Sequence, residues 1–180
     1  MRLIHKDQKG FTLIELLIAV AIFAVVAVAV DAVIVQMVQS NRTSSHMVAL
    51  RQVQQAGYRV NLDALQAQSI SVSNVSRGFP LTLNWTAWEG GEFHSVVYSL
   101  VNQSGELYQL QRQEKIGNNT LTPTVVGQYI YFNTTSPSST ACSWNATANS
   151  TAKVLILNIT AVVGVEAESR TYEIKPRCSI

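Results

Sequence analysis

Proline is absent from the first 79 residues, and only four occur in all 180. Nothing in that long opening stretch forces a helix to kink or stop. Cysteine is nearly as scarce: Cys142 and Cys178 are too few for a disulfide scaffold and lack the spacing of a zinc site. Histidine is limited to His5, His46 and His94, and no serine sits in a G-x-S-x-G elbow. Each histidine reads as a packing or surface residue, so no catalytic residue, no metal and no cofactor is expected, and the chain is read as a non-enzyme. The carboxylates of Glu89 and Glu92 flank a Gly-Gly turn in WEGGEF and read as solvated loop charges. Net charge is also small. Of 13 basic and 11 acidic residues, Arg2, Lys6, Lys9 and Asp7 lie in the first ten positions, which leaves 10 of each sign for the rest. No basic patch remains to recruit nucleic acid.

What is present is a run of apolar residues near the N-terminus. FTLIELLIAVAIFAVVAVAV, residues 11–30, carries one charge, Glu15. As a helix rising 1.5 Å per residue it spans roughly 30 Å, the thickness of a bilayer core. The basic cluster before it predicts that residues 1–10 stay in the cytoplasm and that the long C-terminal part lies on the other side. A secretory signal peptide also starts with positive charge, but this run begins abruptly and is too long.

Glu15 stands where a carboxylate is expensive, four residues into a membrane helix. One reading is that it snorkels to the headgroups. The other starts from Lys9-Gly10-Phe11: cleavage after Gly10 would leave a new amine on Phe11 one helical turn from Glu15. In a bundle of such helices, the carboxylate of one copy can meet the amine of its neighbour, offset both desolvation penalties and set the axial register.

Lys9-Gly10-Phe11-Thr12-Leu13-Ile14-Glu15-Leu16-Leu17 resembles the prepilin signature of type IV pilins and of the pseudopilins of type II secretion. The resemblance covers residues 6–30. It implies a membrane prepilin peptidase that cuts between Gly10 and Phe11, methylation of the new N-terminus on Phe11, and an assembly role for Glu15. It also implies, as partners, other copies or other pilin subunits and a membrane assembly platform. RVNLDALQAQ and YSLVNQSGELYQLQR resemble segments of minor J-type pseudopilins. Many major pilins carry a helix-kinking proline near the far end of the stem, where this sequence has Asp31-Ala32, which shifts the expectation towards a minor subunit.

Beyond the membrane run, the helix is expected to continue over residues 31–68, roughly 85 Å from Phe11. Leu50, Val53, Ala56, Val60 and Ala64 recur at steps of three to four and form one stripe. Gly57 within it costs about 1 kcal/mol relative to alanine, which points to close packing or a bend. Residues 69–180 change to alternating and β-branched texture. Strands are expected over 69–75, 81–88, 93–101, 106–113, 125–134, 153–163 and 170–175, with Asn102-Gln103-Ser104-Gly105 as a hairpin turn and a Ser, Thr and Asn rich loop over 134–151. The expected fold is α+β: a long N-terminal helix packed on an antiparallel β-sheet.

Nine of the 11 asparagines begin Asn-x-Ser/Thr: Asn41, Asn74, Asn84, Asn102, Asn118, Asn133, Asn145, Asn149 and Asn158. With 31 serines and threonines in the chain, chance placement would give about two. N-glycosylation of an extracellular surface is one cause; a polar, turn-rich surface in which these residues cluster is the other. A bridge between Cys142 and Cys178 would resemble the bridged C-terminal region of many pilins, and closing a loop of about 36 residues it would contribute on the order of 3 to 4 kcal/mol. Two unpaired buried thiols are the alternative.

The sequence thus divides into a leader (1–10), an assembly helix (11–30), its amphipathic continuation (31–68) and a β-rich extracytoplasmic domain (69–180). Two functions remain open. One is a structural subunit of a type IV pilus-like filament or of a secretion or DNA-uptake pseudopilus, resident in the membrane before assembly. The other is a membrane-anchored or filament-tip adhesin.

Overall fold

The structure, a computed structural model, describes residues 12–145 and 154–176. One helix, α1 (Leu13–Gln66), opens it. Nine strands follow: β1 (Ser69–Ser73), β2 (Gly78–Thr86), β3 (Phe93–Ser104), β4 (Leu107–Ile116), β5 (Asn119–Thr120), β6 (Thr124–Tyr131), β7 (Ala141–Asn145), β8 (Val154–Val163) and β9 (Glu166–Ile174). The arrangement is α+β, with the helix packed on a curled antiparallel sheet. The chain divides into two units, Met1–Asn41 and Arg42–Ile180. In the first, every described residue is exposed.

In the second unit, α1 turns one face inward: Ala49, Val53, Ala56, Gly57, Val60, Asp63 and Ala64 are buried. Their steps of three and four keep them on one side of a 3.6-residue helix. Ala49 takes the inner position that the stripe in the sequence gave to Leu50, which is only half-buried. Small side chains bring the helix close to the sheet. A Cβ added at Gly57 would overlap the ring of Tyr172 on β9, and one added at Gly127 on β6 would come within 3.1 Å of the Ala56 methyl. The same contacts are hydrogen-bonded, since Tyr172 donates its hydroxyl to Val53 O (3.1 Å) and the Gln128 amide donates to Gln52 Oε1 (2.8 Å).

The strand order is β1-β2-β3-β4-β6-β8-β7, with β5 on β4 and β9 on β8. All pairings are antiparallel. The two ends of this order approach each other where the Cys142 amide donates to Arg77 O at 2.8 Å. Gly78 is required there, because it has a φ of 97° and a Cβ would run into the Cys142 carbonyl. Leu81, Leu83, Val96, Tyr98, Leu110, Ile130, Leu155, Leu157 and Ile159 fill the space between sheet and helix. They alternate along their strands as a half-buried sheet demands.

Several boundaries differ from the sequence reading. The helix ends at Gln66 rather than 68, where Gln68 N turns to donate to Asn84 O (2.8 Å). The hairpin closes more tightly than expected: Ser104 pairs with Leu107, and Asn102 braces the turn by donating its Nδ2 to Gly105 O at 2.8 Å. Within the expected loop over 134–151 lies a strand, β7, whose Cys142 is buried and Ser143 exposed. Its alternation is real but only five residues long, and its polar flanks hide it until β8 pairs with it. The two-residue β5 likewise exists only by pairing with the end of β4.

Candidate assembly site

The first described residue, Thr12, sits just before α1, and Glu15 lies in the first turn. The two close a reciprocal cap. The Glu15 amide donates to Thr12 Oγ1 (3.4 Å), and Glu15 Oε2 accepts from the Thr12 amide and hydroxyl, both at 2.9 Å. This is a capping box, in which a carboxylate three residues in satisfies donors that a helix start would leave bare. The spacing Thr-x-x-Glu was there to be read in the sequence. Its effect is to hold the carboxylate back towards the N-terminal end of the helix. Among the described residues only Oε2 is engaged, so Oε1 is left for another donor.

Around this polar cap the surface is apolar. Leu13, Ile14, Leu16, Leu17, Ile18, Val20, Ile22 and Phe23 are all more than half exposed, and the exposed apolar face continues through Val38. The mean hydropathy reaches 3.0 over an 18-residue window, so the helix is long and apolar enough to cross a membrane. Gly10 and Phe11 lie outside the described residues.

The other residues singled out in the sequence are scattered. Cys142 is buried on β7, and burial pushes its thiol up to about 12; Cys178 lies outside the described residues, as does Asn149. Glu89, Glu92 and Trp88 are exposed in the loop between β2 and β3. Of the asparagines, Asn41 is on α1, and Asn74 and Asn118 occupy turns. Asn84, Asn102, Asn145 and Asn158 lie on β2, β3, β7 and β8. Asn133 follows β6.

A buried polar chain escaped the sequence reading. Asp63 on α1 accepts from Tyr98 Oη on β3 and from Arg112 Nε on β4, each at 2.6 Å on Oδ2. Arg112 also donates from Nη1 to Glu114 Oε2 (2.8 Å), and Glu114 Oε1 meets His94 Nδ1 at 3.1 Å. The His94 ring is stacked on Trp85 with centroids 5.3 Å apart. Burial first, then the negative charge of Asp63, raises the Tyr98 phenol far above its ordinary range. Burial opposes ionisation of Glu114, but the hydrogen bonds and charges of Arg112 and His94 outweigh it and hold the carboxyl below the usual range. The signal in the sequence was Asp63 itself, three residues after Val60 in the inward stripe.

Residues 5–30 match the family model for the prokaryotic N-terminal methylation motif, the signature of type IV pilins and pseudopilins. No curated protein and no solved structure matches the chain.

Proposed function

We propose that this chain, bearing the prokaryotic N-terminal methylation motif, is a structural pilin or pseudopilin subunit that polymerises through α1. In this reading a prepilin peptidase removes residues 1–10, Phe11 becomes the methylated N-terminus, and the protein waits in the membrane as a single-pass subunit with residues 31–180 outside. A membrane platform then moves it into a filament. The observation that carries the proposal is the first part of α1, apolar and exposed through Val38, whose one acidic residue before Asp31 is held at its N-terminal end by Thr12.

The chemistry supports assembly over simple tethering. A tether gains nothing from a carboxylate in the apolar part of its helix, where taking it from water is a cost. A packed bundle gains from it, because Glu15 can exchange its local donors for the amine of a neighbouring Phe11 and so fix one axial register. The absence of proline at Asp31-Ala32 favours a minor subunit, of a pilus or of a secretion or DNA-uptake pseudopilus, and the segments around Asp63 and Tyr98 support a J-type-like member. In the same reading Cys142 and Cys178 form a bridge in the oxidising compartment outside the membrane.

Co-expression of tagged wild-type and Glu15→Gln copies tests the proposal. The variant keeps its shape but leaves the buried amine without a counter-charge, a loss of about 3 to 5 kcal/mol per contact. It should be processed and membrane-resident yet strongly under-represented in sheared surface fractions. Equal incorporation would sink the assembly role and leave a membrane-anchored binding protein as the better reading.

A further inference from the structure

The Asn-x-Ser/Thr excess has two explanations, modification and a polar, turn-rich surface in which these residues cluster, and the structure shows what each described triplet does. Local turn chemistry accounts for one triplet: Asn133 Oδ1 accepts from the amide (2.8 Å) and hydroxyl (2.7 Å) of Thr135, two residues on. The bonds of Asn84, Asn102 and Asn158 run to other residues, and neither Asn74 nor Asn118 bonds to its own Ser or Thr among the described residues. At Asn74, Asn84, Asn102, Asn118 and Asn158, then, local bonding does not account for the spacing.

An enzyme that reads the triplet must reach both the asparagine amide and the hydroxyl two residues later. On a helix, residues i and i+2 do not face each other, so Asn41 and Thr43 on α1 cannot be read together. Asn158 fails for another reason. Its Nδ2 donates to Ser139 O, its Oδ1 accepts from Ser169 and Thr171, and Thr160 is buried. Asn133 is held similarly, with Nδ2 on Glu106 Oε1 at 2.6 Å. Asn84 and Asn102 already donate to Ser69 Oγ (3.3 Å) and Gly105 O (2.8 Å).

Among the triplets that lie wholly within the described residues, two have neither obstacle. Asn74 lies in the turn between β1 and β2, and Asn118 in the two-residue turn between β4 and β5. Both asparagines are exposed, as are the paired hydroxyl residues Ser76 and Thr120. Modification there breaks no hydrogen bond described in the fold.

We infer that Asn74 and Asn118 are N-glycosylation sites. The donor class is a sugar carried on a lipid phosphate at the outer membrane face. The asparagine Nδ2 attacks the anomeric carbon, a C–N bond forms, and the C–O bond to phosphate breaks. The lipid phosphate leaves with the bonding pair, and the amide gives up one proton. The inference rests on the outward placement in the proposed function, and one measurement distinguishes the two.

Intact mass and glycopeptide mapping of protein from native membranes and surface fractions should show loss of residues 1–10 together with added hexose or hexosamine. The sugars should map to Asn74 and Asn118, with Asn133 and Asn158 bare. Asn74→Gln/Asn118→Gln should remove those increments, and Ser76→Ala/Thr120→Ala should remove them while keeping both asparagines. A processed chain of unmodified mass would overturn the glycosylation inference alone; an unprocessed chain in surface fractions would overturn the proposed function. Sugars surviving in both double variants, or found on Asn133 or Asn158 with Asn74 and Asn118 bare, would also overturn the inference.

Discussion

Arg112 is a charge the fold has taken out of water, and Asp63 is what makes that tolerable: both are more than nine-tenths buried and meet at 2.6 Å. Arg112→Met leaves Asp63 without a counter-charge and should destabilise the protein by about 3 to 5 kcal/mol, whereas Asp63→Asn, after which Arg112 keeps Glu114, should cost less. Asp63→Leu/Arg112→Met should lose less than the sum, because the buried Asp63–Arg112 pair is removed whole and Glu114, which loses Arg112, keeps His94. Urea unfolding of the detergent-solubilised protein measures both; additive losses would mean the pair is not coupled. Glu114 at the edge of the same chain adds a pH dependence. Its folded-state pKa is depressed by Arg112 and His94 against the opposing effect of burial. Its contribution is therefore full above the unfolded carboxylate value of about 4.3 and is lost as pH falls through the lower folded value. Unfolding followed from pH 6 downwards should show a decline in stability that is shallower in Glu114→Gln.

At the scale of elements, the contact between α1 and β9 depends on a missing side chain. Alanine at Gly57 would favour the helix by about 1 kcal/mol but would overlap the Tyr172 ring. Overpacking of this kind costs about 1 to 3 kcal/mol, so Gly57→Ala should be net destabilising. In a Tyr172→Ala background the clash is gone and the same change should stabilise. A reversal of sign in thermal unfolding would show that the glycine serves the ring rather than a bend. The sequence left close packing or a bend open at Gly57 and named no partner, because Tyr172 is 115 residues away and nothing local points to it. The same limit governs the rest. The helix and the long strands were legible from their own periodicity and the methylation motif from contiguous residues; the Thr12 to Glu15 cap, though just as local, went unread. Strand β7 was hidden by brevity, and the Asp63, Tyr98 and Arg112 cluster by separations of 35 and 49 residues.

For the whole molecule, the two units separate what holds the fold from what the proposed assembly uses. Among the described residues the hydrophobic core lies between Ala49 and Ile174, while residues 12–41 contribute no buried side chain. Burial of apolar surface is the main stabilising term in folding, so removal of the N-terminal segment takes nothing from it. A chain beginning at Arg42 should be soluble without detergent and unfold with a stability within about 0.5 kcal/mol of the full protein, as expected for a change distant from the core. It should also fail to enter surface fractions when co-expressed with the full chain, since it lacks both the apolar face and Glu15. Circular dichroism with urea titration reads the first expectation, and immunoblotting of sheared material reads the second. Aggregation or loss of cooperative unfolding would show that residues 12–41 support the core, and recovery in surface fractions would show that the folded unit assembles without its helix, which the proposed route through α1 does not allow.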